Sequence, residues 1–386
     1  MDTKTQHGLD SGRLARLKTV IEDDIRHGRY FGGVILVARH GTIGFFEALG
    51  HADSAGKRPV LKDSVFSLFS VTKAFTNVLV FRAIEHGQFA LTTKVSEIIP
   101  EFSGGMREHI TVLHMLTHTS GLPSVYEARK GMYIDRLDEV IAAICENVHS
   151  EVMPGERLDY SPLCNHALLG EMVRRTDPQK RSYRQLVEDE ILKPLKLKDT
   201  SVGLRADLRT RHLPPDMRGN VPINHLGHSD LGPNGAFEEE HAEMPWVGIA
   251  STAHDMFRFA EMLRRGGELD GVRILSPRIL ELARRNWTGE KPNEVYRRLA
   301  AQRGWEIMPG YLGFGFILRG EKMGHTLFGT LTSPETFGGY GAGTTIFWVD
   351  PVREMTFVGL TTGVMERGDN MERWQKLADI AVSAAL

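Results

Sequence analysis

The sequence predicts an α/β (α+β) fold, in which an antiparallel sheet built from both chain termini is flanked by helices and a helical lobe is inserted. Strand-like runs near both ends of the 386-residue chain and helical spacing through its middle carry this prediction. Chain termini often lie close together, so terminal strands can share one sheet. We expect a sheet lobe of residues 1–60 and 247–386. The mostly helical lobe is residues 61–246, with an irregular insert at about 203–246.

The N-terminal segment predicts a helix followed by a hairpin. Residues 10–27 place apolar side chains at helical spacing, after a possible N-cap at Asp10 or Ser11. The next stretch, GGVILVARHGTIGFFEALG, reads as two strands joined by a turn at His40-Gly41. These two strands provide one half of the predicted sheet.

The remaining chain supplies helices and then closing strands. Residues 203–246 are rich in proline, glycine, histidine and glutamate, and we expect a long functional or mobile loop there. Two strand-like runs, GTTIFWVDP and MTFVGLTTG, and a helix over residues 369–385 close the chain. The segments with helical spacing in the middle are residues 72–87, 111–119, 135–147, 164–176 and 182–194.

Composition excludes several classes of partner. Lys plus Arg is 47 and Asp plus Glu is 49, so the net charge of −2 gives no reason to expect nucleic acid as a partner. No apolar run reaches 18 residues, so we expect no membrane partner.

The N-terminus lacks an apolar leader, which favours a cytoplasmic protein. Cys145 and Cys164 fit a reducing compartment without a structural disulfide.

A serine and a lysine stand at the start of the helical run FSLFSVTKAFTNVLVF. Ser70 and Lys73 are three residues apart, which puts their Cβ atoms about 5–6 Å apart on one helix face. A serine hydroxyl needs a base to act as a nucleophile. Desolvation and the positive end of the helix dipole both lower a lysine pKa, so the apolar run favours a neutral amine. The pair can therefore be nucleophile and base.

Two further motifs fit an acyl-transfer site. Tyr160 and Ser161 precede another helical run in PGERLDYS, and FGGYGAGTTIFWVD is a glycine-dense strand entry. Glycines there let a substrate lie along the strand and let N–H groups point into a cleft. A Ser-Lys pair, a tyrosine at a helix start and a glycine-rich strand together indicate acyl transfer.

This combination resembles the serine β-lactamase and penicillin-binding-protein superfamily. It is most similar to the class C β-lactamase-like branch, and within it to the family VIII carboxylesterases. Ser70-Val-Thr-Lys73 matches the S-x-x-K motif, and Tyr160-Ser161 stands in the place of Tyr-x-Asn. The stretches HMLTHTSGL, PGERLDYS, GIASTAHDMFRFAEMLRRGG and FWVDP follow in the order typical of the branch.

The resemblance implies a mechanism and a substrate class. Ser70 would attack an acyl carbonyl, and Lys73 with Tyr160 would take its proton and pass it to the leaving group. The oxyanion hole would use the Ser70 N–H and an N–H of the glycine-rich strand. The substrate would be a small-molecule ester or amide, with no cofactor and no metal. Acyl transfer to an alcohol or amine, and β-lactamase or D-aminopeptidase-type amide hydrolysis, are the alternatives.

The sequence departs from the family pattern at two places. Pro162 replaces the asparagine of Tyr-x-Asn, and Asn165 is the nearest amide that could substitute for it. On the strand, two registers compete, and neither places a lysine or histidine there. We therefore expect a neutral ester or amide, and at best weak β-lactamase activity. The registers are Phe337-Gly338-Gly339 and, by spacing to Asp350-Pro351, Gly339-Tyr340-Gly341 with Ala342 N–H as oxyanion donor.

Other side chains have competing interpretations. His114 and His118 have zinc-ligand spacing, but no glutamate follows His114, and His118 can instead brace the loop THTSGL. Cys164 is expected to be a buried small residue. Histidines in the insert are expected to be solvated or to line the substrate entrance, and four aromatic residues are expected to wall the acyl pocket. These are His212, His225, His228 and His241, and Tyr126, Tyr133, Trp246 and Trp305.

Overall fold

The computed structural model describes residues 5–6, 8–53, 55–216, 235–342 and 345–386. The strands are β1 Thr5–Gln6, β2 Leu9–Asp10, β3 Gly32–Arg39, β4 Thr42–Gly50, β5 Val65–Ser67, β6 Ser201–Val202, β7 His212–Leu213, β8 Ile249–Ser251, β9 Glu268–Leu269, β10 Val272–Arg273, β11 Ile317–Leu318, β12 Phe337–Gly341, β13 Thr345–Asp350 and β14 Met355–Thr361. The α-helices are α1 Ser11–Arg26, α2 Thr72–Glu85, α3 Val95–Ile98, α4 Val112–Leu116, α5 Leu137–Asn147, α6 Cys164–Thr176, α7 Tyr183–Val187, α8 Lys193–Leu195, α9 Gly235–Glu238, α10 Ala253–Arg264, α11 Pro277–Ala283, α12 Glu294–Arg303 and α13 Arg367–Ser383.

The main sheet is antiparallel and has strands from both ends of the chain. Its order is β11-β12-β13-β14-β3-β4, so the last strand of the chain pairs with the first long one. Val358 of β14 lies opposite Leu36 of β3 in this pairing. The predicted α/β fold, with a terminal-strand sheet flanked by helices, is confirmed.

Alternate residues of the sheet face two different cores. In β3, Ile35 and Val37 pack with α1 and α13, whereas Val34 and Leu36 pack on the side of α2 and α10. This two-residue period is what a strand that is buried on both faces requires. Helices therefore cover both faces of the main sheet.

A second, smaller sheet links the two predicted lobes. Its order is β6-β8-β5-β7, and β8 comes from the C-terminal segment while the other three strands come from the middle of the chain. β5 leads directly into the turn that carries Ser70. The lobe boundaries after residues 60 and 246 remain a prediction. β5 belongs to the predicted helical lobe and β8 to the predicted sheet lobe, and the two strands are hydrogen-bonded to each other.

Local chemistry explains how the N-terminal elements begin and turn. The Asp10 side chain accepts a hydrogen bond of 2.9 Å from Arg13 N–H, so Asp10 is the N-cap of α1. His40 and Gly41 both have positive φ, at 52° and 77°, as a two-residue type I′ hairpin turn requires. Both predictions are confirmed.

Some middle elements differ from the expectation. The helix expected to end at residue 119 stops as α4 at Leu116, and the segment after α7 passes through a π-helical turn, Glu188–Leu192. His212 is buried and its Nε2 lies 3.0 Å from Ser67 Oγ, so the expectation of a solvated histidine is wrong there. His225 and His228 lie outside the described residues. Within the described parts of the chain, no helix has both the length and the apolar composition needed to cross a membrane.

Candidate active site

The Ser70 turn is held in place by strands from distant parts of the chain. Ser70 is the middle residue of a 3-10 turn between β5 and α2, and the preceding Phe69 has a φ of +51°. A bulky residue in that region is strained, by about 1–3 kcal/mol, and needs support from its surroundings. Leu68 supplies it, because its N–H donates to Ile249 O at 2.8 Å and its carbonyl accepts the Thr345 hydroxyl at 2.7 Å.

Lys73 lies one helical turn after Ser70, within hydrogen-bond distance of it. The Lys73 Nζ is 3.1 Å from Ser70 Oγ, 2.9 Å from Pro162 O and 3.0 Å from Trp246 O. Lys73 is only 5% exposed, and burial holds the pKa of its amine well below the ordinary lysine value. A neutral amine has two N–H donors and one lone pair. The two carbonyls take both donors, which leaves the lone pair for the Ser70 hydroxyl proton.

Tyr160 completes the group from the other side. Its hydroxyl donates to Ser70 Oγ at 2.7 Å, and its ring centroid lies 5.2 Å from Lys73 Nζ. Burial raises the pKa of Tyr160 above that of an ordinary tyrosine, against the lowering effect of the hydrogen bond with Ser70. The phenol is therefore protonated at neutral pH and can donate a proton, while Lys73 is the group able to accept one.

His118 braces the backbone on both sides of Tyr160. Its Nδ1 accepts the Ser161 N–H at 3.0 Å, and its carbonyl accepts the Asp159 N–H at 3.0 Å. The imidazole is buried, and this burial lowers the pKa of His118 to about 3. A neutral ring that accepts at Nδ1 carries its proton on Nε2. These contacts fit the interpretation of His118 as a residue that braces its loop. Because they hold the backbone on both sides of Tyr160, we regard His118 as a positioning residue for Tyr160.

Replacing His118 tests that role. We expect His118→Ala to lower kcat by about tenfold to a hundredfold with little change in KM, because misplacing a reacting group by about 1 Å costs on that order. His118→Asn should restore most of kcat, because asparagine tolerates the positive φ of 52° and keeps an acceptor near Nδ1. Steady-state kinetics with pH profiles will check this. Loss of a titration between pH 5 and 9 in His118→Asn would show instead that His118 transfers protons.

The pair His114 and His118 does not form a metal site with other described residues. His114 Nδ1 accepts the Thr111 N–H at 3.2 Å and so caps α4, while His118 is committed to Ser161. Among the described residues, no cluster of three or more His, Cys, Asp or Glu side chains is arranged to hold a metal ion. Both rings act in local structure.

The Ser70 group opens into a cavity of about 540 Å³, within the range of small-molecule sites. Most of the residues expected at the substrate site line it, and so does the aromatic Trp305. Tyr133 is 38% exposed and does not line it. The residues from the sequence prediction that line the cavity are Ser70, Lys73, Tyr160, Gly339, Tyr340, Ala342, Tyr126 and Trp246.

The end of β12 contacts the Ser70 turn. A Cβ placed on Gly341 would lie 2.4 Å from Leu68 O and 3.1 Å from Phe69 Cβ, so only glycine allows this approach. Gly341 thus packs beneath the turn, and Ala342, the next residue, lines the cavity. This arrangement favours the register that begins at Gly339.

Besides Gly341, which does not line the cavity, two expected substrate contacts are not found. Asn165 is fully buried, and its amide binds Ser120 Oγ and Met115 O instead of lining the cavity. It therefore does not replace the family asparagine, and the residue at that position, Pro162, contacts Lys73 Nζ through its carbonyl. Phe337 is also fully buried, with its ring 5.4 Å from Phe316, because its position on β12 turns it into the core.

Sequence reasoning missed several cavity residues that lie far away in the chain. Tyr296 of α12 and Arg367 of α13 both line the cavity, with Tyr126 and Tyr340. A tyrosine in a charged helix and an arginine before a C-terminal helix carry no local signal of a site. Only the packing of α12 and α13 against β12 brings them to it.

Comparison with known proteins gives one family and several partial likenesses. A sequence model of the family described as "Beta-lactamase" matches residues 17–382. Protein flp of Staphylococcus aureus (strain MW2) is 30% identical over 223 residues, 56% of this chain, and the match spans only 44% of the flp length. Esterase EstB of Burkholderia gladioli is 29% identical over 289 residues, which cover 67% of this chain and 72% of EstB.

A solved structure agrees over nearly the whole chain. EstCE1, described as "a hydrolase with promiscuous acyltransferase activity", has a TM-score of 0.75 and 21% sequence identity, and covers 95% of this chain and 98% of its own. At this identity the likeness concerns the fold.

Proposed function

This chain belongs to the β-lactamase family, and from that premise we propose that it is a serine hydrolase that cleaves a small-molecule ester through an acyl-enzyme on Ser70. The observation that carries the proposal is the contact of Ser70 Oγ with both the buried Lys73 amine and the Tyr160 hydroxyl. One group accepts a proton and the other donates one, as acyl transfer requires. The likeness to esterase EstB supports the choice of an ester.

In the acylation step, Ser70 Oγ bonds to the acyl carbon as its proton moves to Lys73 Nζ. The ammonium so formed keeps its hydrogen bonds to Pro162 O and Trp246 O. When the C–O bond to the alcohol breaks, Tyr160 gives its proton to the leaving oxygen and regains one from Lys73. The alcohol leaves neutral, and Lys73 returns to the neutral amine.

In the second step, water attacks the acyl carbon and gives its proton to Lys73. Ser70 Oγ then leaves and takes that proton from Lys73 Nζ, so the amine is neutral again.

Two N–H groups stabilise the negative oxygen in both steps. Ser70 N–H is near the start of a short helical turn, where no carbonyl lies one turn earlier to accept it. Ala342 N–H, which follows the contact between Gly341 and the turn, is the second donor.

The choice of an ester rather than a β-lactam as the substrate follows from the residues of the glycine-rich strand β12. A β-lactam has a carboxylate beside its scissile amide, and Gly339, Tyr340 and Ala342, in and just after the strand, supply no cation next to that bond. A hydrogen bond to a charged group contributes about 1.5–3 kcal/mol, so its absence costs roughly tenfold to a hundredfold in binding. We expect kcat/KM for p-nitrophenyl butyrate to exceed that for nitrocefin by at least tenfold. A tenfold preference for nitrocefin would reject the esterase function.

Acyl transfer is the second candidate, since EstCE1 is described as having promiscuous acyltransferase activity. The chemistry on Ser70 is the same, and the acceptor that outcompetes water decides the product. Adding 1-butanol to the butyrate assay and measuring butyl butyrate against free butyrate separates the two.

We also propose, from the sequence, that the protein is cytoplasmic.

A further inference from the structure

A guanidinium lines the active-site cavity without a carboxylate to balance it. Arg367, the first residue of α13, is half-buried in the cavity wall. Among residues that the structure describes, no Asp or Glu oxygen lies within 4.0 Å of its side-chain nitrogens. Its hydrogen bond to the Tyr126 hydroxyl is long, at 3.5 Å. Its fork of N–H donors is therefore largely unused.

The two carboxylates that line the cavity have other partners. Glu306 is 2.8 Å from Lys322. Glu366, next to Arg367 in sequence, pairs with Arg303 and accepts the Gly368 N–H at 2.8 Å. Neither compensates the charge of the Arg367 guanidinium.

The other two arginines of the cavity wall differ from Arg367. Arg298 lies 3.9 Å from Asp159 and its side chain is 57% exposed, so its charge is paired and solvated. Arg319 is buried, and its N–H groups donate to carbonyls such as Gly320 O and Thr330 O. Within the described part of the cavity wall, Arg367 is the arginine whose donors stay available to a ligand.

Three tyrosines share the cavity wall with Arg367. They are Tyr126, Tyr296 and Tyr340, and the Tyr126 hydroxyl accepts the long hydrogen bond from Arg367. Tyr340 is held by Asn370, which donates to its hydroxyl at 2.6 Å. Tyrosine hydroxyls can donate to an anion as well, so this end of the cavity offers both charge and hydrogen bonds.

We infer that the cavity selects esters that carry a carboxylate, and that this carboxylate binds the Arg367 guanidinium at the tyrosine-lined end. The inference rests on the proposed function and names the substrate class for it. A partly desolvated guanidinium without a counter-charge is costly, and an anionic ligand removes that cost. A planar carboxylate matches the arginine fork with two parallel hydrogen bonds.

The kinetic test uses two esters of equal length that differ in one charge. Mono-p-nitrophenyl adipate ends in a carboxylate, and the p-nitrophenyl ester of adipic monoamide ends in a neutral amide. We expect the wild type to favour the adipate by at least tenfold in kcat/KM at pH 7.5 and low salt. Arg367→Gln should abolish that preference, so that in this variant kcat/KM for the adipate falls to about the value for the neutral ester. Arg367→Lys should keep part of the preference, because it retains the charge without the fork.

A matched control removes a different charge from the same wall. Arg298→Gln should keep the tenfold preference, since Arg298 is paired with Asp159. The inference is overturned if the wild type shows no preference, if the preference survives in Arg367→Gln, or if Arg298→Gln abolishes it equally.

A binding experiment separates this inference from the esterase proposal. In a Ser70→Ala background, calorimetry should show monomethyl adipate binding at least tenfold more tightly than the methyl ester of adipic monoamide. Adding Arg367→Gln should remove the difference. Equal binding of the two ligands overturns the inference even if the wild type is an active esterase. Failure of the wild type to hydrolyse either p-nitrophenyl ester overturns the proposed function, and the calorimetry still decides whether Arg367 binds carboxylates.

Discussion

Ser70→Ala is expected to abolish covalent labelling by a fluorophosphonate probe and to lower kcat/KM for p-nitrophenyl butyrate by at least about a thousandfold. The proposed mechanism has one nucleophile, and its loss leaves only binding and oxyanion stabilisation. Peptide mapping of the labelled wild type should place the adduct on Ser70. Ser124→Ala is a matched control, because Ser124 lines the same cavity and its hydroxyl donates to Tyr160 O. A label that persists in Ser70→Ala would reject Ser70 as the nucleophile.

Lys73 and Tyr160 should be nearly as sensitive, because the three groups act as one unit. We expect Lys73→Ala and Tyr160→Phe each to lose orders of magnitude in kcat, and the double variant to lose little more than the worse single one. Additive losses would show that they work independently.

Lys73→Arg is expected to be as inactive as Lys73→Ala, although arginine is also a long side chain that carries nitrogen. A guanidinium stays protonated at every accessible pH, so it cannot accept the Ser70 proton. Burial lowers the pKa of Lys73, so in the wild type the neutral base is present above that pKa and is lost as the pH falls through it. The kcat/KM profile should therefore rise with pH to a plateau that begins well below pH 10.

The pH profile reports the coupled Lys73–Tyr160 pair rather than either residue alone. The measurement needs a substrate for which chemistry limits the rate. A profile that rises only above pH 10 would contradict a neutral Lys73. So would substantial activity in Lys73→Arg.

Much of the fold and the centre of the site could be predicted because their signals are local. Ser70 and Lys73 lie one helical turn apart, and β3 begins with an unbroken run of seven glycine and apolar residues. Asn165 was assigned wrongly because nearness in sequence to Tyr160 says nothing about direction, and α6 turns its side chain into the protein. Arg367 could not be placed, since its role depends on tertiary packing alone.

The Thr345–Leu68 hydrogen bond joins residues 277 positions apart, and it has a consequence for the order in which the protein forms. Closing a loop of that length costs about 5 kcal/mol of chain entropy. Ser70 and Lys73 come close as soon as one helical turn forms, but the strained Phe69 backbone is supported only when both chain ends have met. The turn with Ser70 and Lys73 can therefore form early in folding, before the contact that supports the Phe69 backbone is made. In a partly folded chain, Ser70 and Lys73 would be exposed to solvent and would have the reactivity of ordinary serine and lysine side chains.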